Sequence, residues 1–302
     1  MRAMPPQGDR VAGPRVPSIL VHGGAGADPV EGRDELRAGV RVAILEGWRI
    51  LAGGGSALDA VERAVRALED HPRFNAGRGS VLTSAGAVET DASIMEGDRL
   101  QCGAVGAVSR IANPVTLARR VMEASRHILL VGEGALAFAR AQGLPECDPE
   151  ALVTERQRLR HRELVAATKG TVGAVALDRN GTIAAATSTG GLPGKLPGRV
   201  GDSALIGCGT YAESSIGGVS CTGDGEAIMR VVLARRALDD LKEADDPEYA
   251  ARVAVDLLVE EGRGHGGLIL LDWRGRMGWA HSTPLMPVAL MSPAFAEPRV
   301  PF

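Results

Sequence analysis

The chain has 302 residues, is 45% hydrophobic and 24% charged, and carries a formal net charge of −3. These values fit a globular protein of one large domain or two ordinary ones, and they exclude a strongly basic nucleic-acid face. No apolar run reaches the ~20 residues that cross a bilayer, which excludes a helical membrane span.

Aromatic residues are 3% of the chain, so the core has to be built from Ala, Val, Leu and Ile. Residues 1–16 carry prolines and glycines but no apolar segment of the kind a secretory signal needs, and read as a disordered lead-in. Cys102, Cys147, Cys208 and Cys221 have neither metal-knuckle spacing nor the density of a disulfide framework, which points to a reducing, cytoplasmic setting.

In chain order, "SILVHGGAG" predicts a short buried strand running into a glycine loop. Residues 34–52 place Leu36, Val40, Ala43, Ile44, Trp48 and Leu51 on one helical face, and Ser56 caps a second helix that ends near Leu68. Strand-like runs follow at 79–83, 87–95 and 102–108. Pro114 opens a helix at its first turn, where its missing N–H costs nothing. "HILLVG" predicts a strand and 134–142 a helix. Residues 148–170 are polar with weak periodicity and read as a linker, partly helical. Strands resume at 171–178, 182–188, 204–208 and 216–221. Helices then follow at 225–241 and 247–261, the second capped by Asp246 with Pro247 at its first position. Strands at 266–272 and 277–283 close the chain. Helices in pairs and strands in clusters predict layered α+β packing rather than a doubly wound parallel sheet.

Several motifs compete. Gly132 to Ala137 match G-x-G-x-x-A after a strand and before a helix, the setting of a nucleotide-binding loop, yet a charged linker rather than a second strand follows. The six histidines show no paired ligand spacing, and no G-x-S-x-G elbow is present. Thr171 follows Gly170 at the start of an apolar run. As a plain strand residue it needs no explanation. If the chain breaks before it, its new α-amine, titrating at about 7.7–8.0, is the base its hydroxyl requires. Arg199 and Asp202 in "GRVGDS" fit the carboxylate and ammonium of a free amino-acid end, or equally a surface ion pair. "CTGDGE" places Thr222 and Gly223 at a helix start able to cradle an oxyanion, or is a turn chosen for its glycines.

Taken in order, "VHGGAG", "FNAGRGSVLT", "ETDASIMEG", "NPVTLAR", "HILLVGEGA", "GTVGAVALD", "ATSTGG", "KLPGRVGDS" and "CTGDGE" resemble the plant-type asparaginase and isoaspartyl-peptidase family of N-terminal-nucleophile hydrolases. The resemblance spans nearly the whole chain and accounts for Gly132–Ala137 as scaffold. It implies a four-layer αββα sandwich formed by one domain, 17–302. It implies autocleavage between Gly170 and Thr171 into an α-subunit, 1–170, and a β-subunit, 171–302, assembled as an (αβ)2 homodimer. In it Thr171 is the nucleophile and Thr189 tunes it. Arg199 and Asp202 anchor the substrate, Thr222 and Gly223 form the oxyanion hole, Gly225 touches substrate, and Asn75 lies near the nucleophile. No cofactor is required, and the loop from Leu68 to Arg78 matches one that holds a structural sodium ion through backbone carbonyls. The small-molecule substrates implied are L-asparagine and isoaspartyl dipeptides. Two departures stand out. Gly194 replaces the Asn that often precedes the lysine of "KLPGR". Gly170 stands where glycosylasparaginases usually have Asp, which makes glycoasparagine the less fitting substrate.

Overall fold

The structure is a computed structural model that describes residues 15–27, 32–163 and 170–302. Most of the expected lead-in, and positions 164–169 of the linker, lie outside the described residues. The first half contains β1 (Ser18–His22), α1 (Arg33–Ala52), α2 (Ala57–Asp70), β2 (Thr90–Glu96), β3 (Gln101–Val108), α3 (Pro114–Ala124), β4 (Leu129–Val131), α4 (Gly132–Ala141) and α5 (Glu155–Arg162). The second half contains β5 (Val172–Leu177), β6 (Ile183–Thr189), β7 (Thr210–Glu213), β8 (Gly217–Gly223), α6 (Gly225–Val231), α7 (Leu233–Ala244), α8 (Pro247–Glu260), β9 (Gly266–Asp272), β10 (Met277–His281) and β11 (Val288–Met291). The expected caps form. Ser56 accepts from the Asp59 N–H, and Asp246 accepts from those of Glu248 and Tyr249.

The strands make a seven-stranded sheet in the order β11-β1-β5-β6-β2-β3-β4 and a four-stranded sheet in the order β10-β9-β8-β7. All pairs are antiparallel except β3 with β4. Successive strand side chains point to opposite faces, and here both faces are covered. Along β5, Ala174 and Ala176 lie on the helix-side face, where β5 packs on α2, while Val175 and Leu177 enter the layer between the sheets. Along β6, Ala184 and Ala186 face the helices and Ile183 and Ala185 face the other sheet. On β9, Ile269 and Leu271 meet them from the opposite side, and Leu268 and Leu270 face α6, α7 and α8. The result is the expected α+β sandwich with layers α, β, β, α. Its inner strands read as unbroken apolar runs because neither face meets water.

Three local expectations are corrected. Positions 79–83 form no strand. The Gly79 N–H bonds the Leu152 carbonyl, that of Val81 bonds Asn75 Oδ1, and that of Thr83 bonds the Ala87 carbonyl, so the donors are spent within loops. Positions 204–208 are not a strand either: a 3-10 turn over Asp202–Ala204 leads in, and pairing starts only at Thr210. The single helix expected over 225–241 is two helices, broken at Val232, whose φ is 52°. β7 and β11 went unpredicted, and β5 starts one residue after Thr171.

Candidate active site

The hairpin register builds the site. β5 pairs with β6 so that Val172 faces Ser188 and Gly173 faces Thr187, which sets Thr171 opposite Thr189. By the same alternation, Thr171, Thr187 and Thr189 share the inter-sheet face with Val175 and Ile183. Ser220 and Thr222 of β8 and His22 of β1 point into the same layer. The inter-sheet core is therefore apolar through most of its length and polar at one end.

At that end Thr171 is 5% exposed and Thr189 2%. The Thr171 hydroxyl donates to Thr189 Oγ1 at 3.2 Å across eighteen positions of sequence. Thr189 Oγ1 in turn donates to the Gly170 carbonyl at 3.0 Å and accepts from the Gly191 N–H at 2.9 Å. Asn75 Nδ2 donates to the same Gly170 carbonyl at 2.8 Å, and also to that of Gly191 at 2.8 Å. The carbonyl of the bond expected to break thus receives two hydrogen bonds. Gly24 lies against that bond. A Cβ placed there would come within 2.8 Å of Gly170 Cα and 3.0 Å of Thr171 N, and its φ of +103° further favours glycine.

A cleft of about 230 Å³ opens on this end, walled by Gly170, Thr171, Thr189, Gly191, Leu192, Arg199, Asp202, Gly223 and Gly225. It is small beside drug-sized pockets and suits a compact polar ligand. Six of the expected residues therefore line one cleft with Gly170. Thr222 sits beneath rather than on the wall; it is fully buried and its Oγ1 accepts from the Ala25 N–H at 3.1 Å. Asn75 reaches the Gly170 carbonyl from the far side, where it lines a larger recess of about 550 Å³ that contains neither threonine.

The electrostatics differ from the expected Arg199–Asp202 pair. Arg199 bonds Glu226, with Nε donating to Oε1 at 2.9 Å. Its Nη2 lies 2.8 Å from the same oxygen but without the alignment of a hydrogen bond, and it is buried with no hydrogen-bond partner among the described residues. Asp202 Oδ2 is likewise buried without a partner among them. Burial pushes the Asp202 carboxyl up to about 7 against the opposing pull of Arg199. Two complementary, under-satisfied groups of this kind are costly in a fold unless a ligand satisfies them.

Among the described residues, no group of three or more His, Cys, Asp or Glu could hold a metal ion. The loop from Leu68 to Arg78 offers backbone oxygens instead. The carbonyls of Pro72 and Phe74 crowd Gly79, and those of Glu69 and Ala112 crowd Gly77, each within 2.7 Å of where a Cβ would stand. The two sets of carbonyls face different glycines, and that of Glu69 already accepts from the Arg78 N–H. The Gly132–Ala137 segment forms the start of α4, directly after β4 at the sheet edge. The next strand, β5, lies four places in from that edge, so no βαβ unit is completed.

A family model described as asparaginase matches residues 15–296 of the chain. The chain belongs to this asparaginase family. It is 48% identical over 275 residues to an isoaspartyl peptidase/L-asparaginase of Danio rerio, covering 88% of each chain. It is 47% identical to the protein of the same name from Homo sapiens, covering 87% of this chain and 92% of that one. To a plant-type L-asparaginase of Pyrococcus abyssi it is 44% identical, covering 93% and 98% respectively.

The asparaginase-family site contains residues that sequence reasoning missed. Asp91 is buried on β2, and its two oxygens accept from the N–H groups of Ala107 and Gly201, so it pins the loop that carries Arg199 and Asp202. His22 is fully buried, its Nε2 lies 2.9 Å from Ser220 Oγ, and burial lowers its pKa to about 3, so it is a neutral hydrogen-bonding group. From it a chain of hydroxyls runs through Ser220, Thr187, Thr210 and Ser93 to the Ser203 carbonyl, beside Asp202. The signal for this chain was the switch from apolar to Ser and Thr at alternate positions of β6 and β8.

Proposed function

We propose that this chain is a self-processing threonine amidohydrolase that releases L-aspartate from L-asparagine and from isoaspartyl dipeptides. The carrying observation is that Arg199 and Asp202, opposite in charge and each with a buried polar atom that lacks a hydrogen-bond partner among the described residues, line one cleft with Thr171. That pair matches a zwitterionic amino-acid end, and the names of the relatives supply the substrates to test first.

Processing begins with attack of Thr171 Oγ1 on the Gly170 carbonyl carbon. Thr189 Oγ1 is placed to receive the hydroxyl proton, and Asn75 Nδ2 bonds the oxygen that gains charge. As the C–N bond breaks, the hydroxyl proton passes on from Thr189 to the threonine nitrogen, which becomes a free amine, and water hydrolyses the resulting Gly170 ester. The freed α-amine, near its own pKa at neutral pH, then serves as base. In turnover, Thr171 attacks the β-carbonyl of the substrate while Arg199 holds its α-carboxylate and Asp202 its α-ammonium. The Thr222 hydroxyl already accepts from Ala25, which leaves its proton to donate; with the Gly223 N–H it forms the oxyanion hole. One such donor is worth on the order of 10²–10³ in rate. The amine passes its proton to the leaving ammonia or peptide amine, and water releases aspartate from the acyl-enzyme. Gly225 leaves room for the substrate between Arg199 and Asp202.

A sodium ion on the carbonyls of the 68–78 loop would fix the backbone that presents Asn75. The processed chains pair as an (αβ)2 homodimer, and the four free thiols fit a cytoplasmic setting. Purified protein should release aspartate from both L-asparagine and a β-aspartyl dipeptide, and Arg199→Ala should lose both activities while still splitting its own chain. Release from neither substrate, or unchanged kinetics in Arg199→Ala, overturns this reading.

A further inference from the structure

Arg199 is nearly buried, with a side chain 16% exposed, whereas its partner Glu226 is 51% exposed. An ion pair with one partner so open to water contributes little to stability, with a median of about 0–1 kcal/mol. Its geometry is more informative than its energy. Glu226 Oε1 takes the Nε side of the guanidinium. The other end points elsewhere: a Cβ at Gly225 would stand 2.8 Å from Nη2, and Cβ atoms at Gly201 and Gly191 would stand 2.7 and 3.3 Å from Nη1. Gly225 and Gly191 are walls of the cleft, and Glu226 is not. Nη2 also lies 2.8 Å from that oxygen, so the guanidinium is gripped from outside on its Nε–Nη2 edge, which leaves the Nη1–Nη2 edge toward Gly191 and Gly225.

An arginine side chain has several rotatable bonds, and its value as a two-oxygen clamp depends on presenting the correct edge. Glu226 is well placed to fix that edge. It occupies the first turn of α6 immediately after Gly225, so its backbone is held by the helix, and its carbonyl also accepts from Arg230 Nε at 3.2 Å.

We propose that Glu226 is a positioning residue that sets the rotamer of Arg199, so that the Nη1–Nη2 end meets the α-carboxylate of the substrate. This makes Glu226 a determinant of selectivity for substrates whose α-carboxylate is free, and it rests on the reading of Arg199 as the carboxylate anchor.

The test compares wild type, Glu226→Ala and Glu226→Gln with L-asparagine and with its α-carboxamide, in which that carboxylate is blocked. Glu226→Ala should raise KM for L-asparagine roughly tenfold, about one charge-assisted hydrogen bond, with kcat changed less than about twofold. For the α-carboxamide, kcat/KM should change by less than about threefold, because Arg199 has no anion to grip. Glu226→Gln keeps an oxygen acceptor for Nε and should recover most of the lost affinity. A general structural role would depress both substrates equally, and that result overturns the proposal. So does an unchanged KM. A lowered KM also overturns it, because Glu226 would then compete with the substrate for Arg199. Arg199→Ala, assayed alongside, separates the two claims: if it has wild-type KM, the anchor reading itself fails, whatever Glu226 does.

Discussion

In the proposed mechanism Asp202 carries both a cost to the fold and a role in binding. Its carboxylate is 4% exposed, and burial together with the negative charges of Asp91 and Glu226 raises its pKa to about 7, while Arg199 alone among these neighbours opposes the shift. An acid whose folded pKa exceeds its unfolded value near 3.8 stabilises the folded state in its protonated form, and that contribution fades as pH rises through 7. Substrate binding has the opposite sign, because only the ionised carboxylate accepts from an ammonium group. KM for L-asparagine should therefore rise as pH falls below about 7, and Asp202→Asn should abolish that limb along with most of the affinity. A KM that is flat through neutral pH in the wild type would remove Asp202 from the amino-group anchor. Thr171, Thr189, Arg199 and Asp202 stood out as hydroxyls and charges close to glycines, and the roles expected of them came from the family resemblance. Glu226 did not, since a glutamate in the first turn of a helix is commonplace and only the fold shows which guanidinium it meets.

At the scale of elements, the hairpin β5–β6 is the unit that brings Thr171 and Thr189 together. Its turn and its two apolar runs were readable, and the pairing between them puts Thr171 opposite Thr189. Elements whose backbone donors are spent locally were not readable. "GSVLT" has strand composition, yet its N–H groups bond Leu152, Asn75 and Ala87 within loops. The break between α6 and α7 also left no mark, because Val232 is an ordinary helical residue in a continuous apolar pattern. Its φ of 52° is a left-handed conformation that β-branched residues avoid at a cost of roughly 1–2 kcal/mol. Val232 is 43% exposed, so little packing is lost on truncation. Val232→Gly should accordingly raise stability by about 1 kcal/mol in denaturant unfolding, even though glycine lowers helix propensity. A loss of stability would mean that the break is held by the valine side chain rather than suffered by it.

Over the whole molecule, the layered α+β architecture followed from strands apolar on both faces and helices apolar on one. Sheet order did not, because which strand lies beside which depends on long-range pairing that no local pattern records. β1 lies between β11 and β5, so the first strand of the chain pairs with the last and with one from mid-chain. This placement explains why the expected cleavage point is structurally tolerable. Residue 171 immediately precedes the central strand β5, whose pairing with β1 and β6 begins at the next positions, so the bond before it can open without removing a ladder partner. The two sheets would remain joined by the core of Leu20, Val175, Leu177, Ile269 and Leu271. The most direct test of the account is the intact mass of the purified protein. The account predicts two chains, 1–170 and 171–302, with Thr171→Ala remaining one chain and inactive. A single uncut chain that hydrolyses L-asparagine at full rate would contradict it.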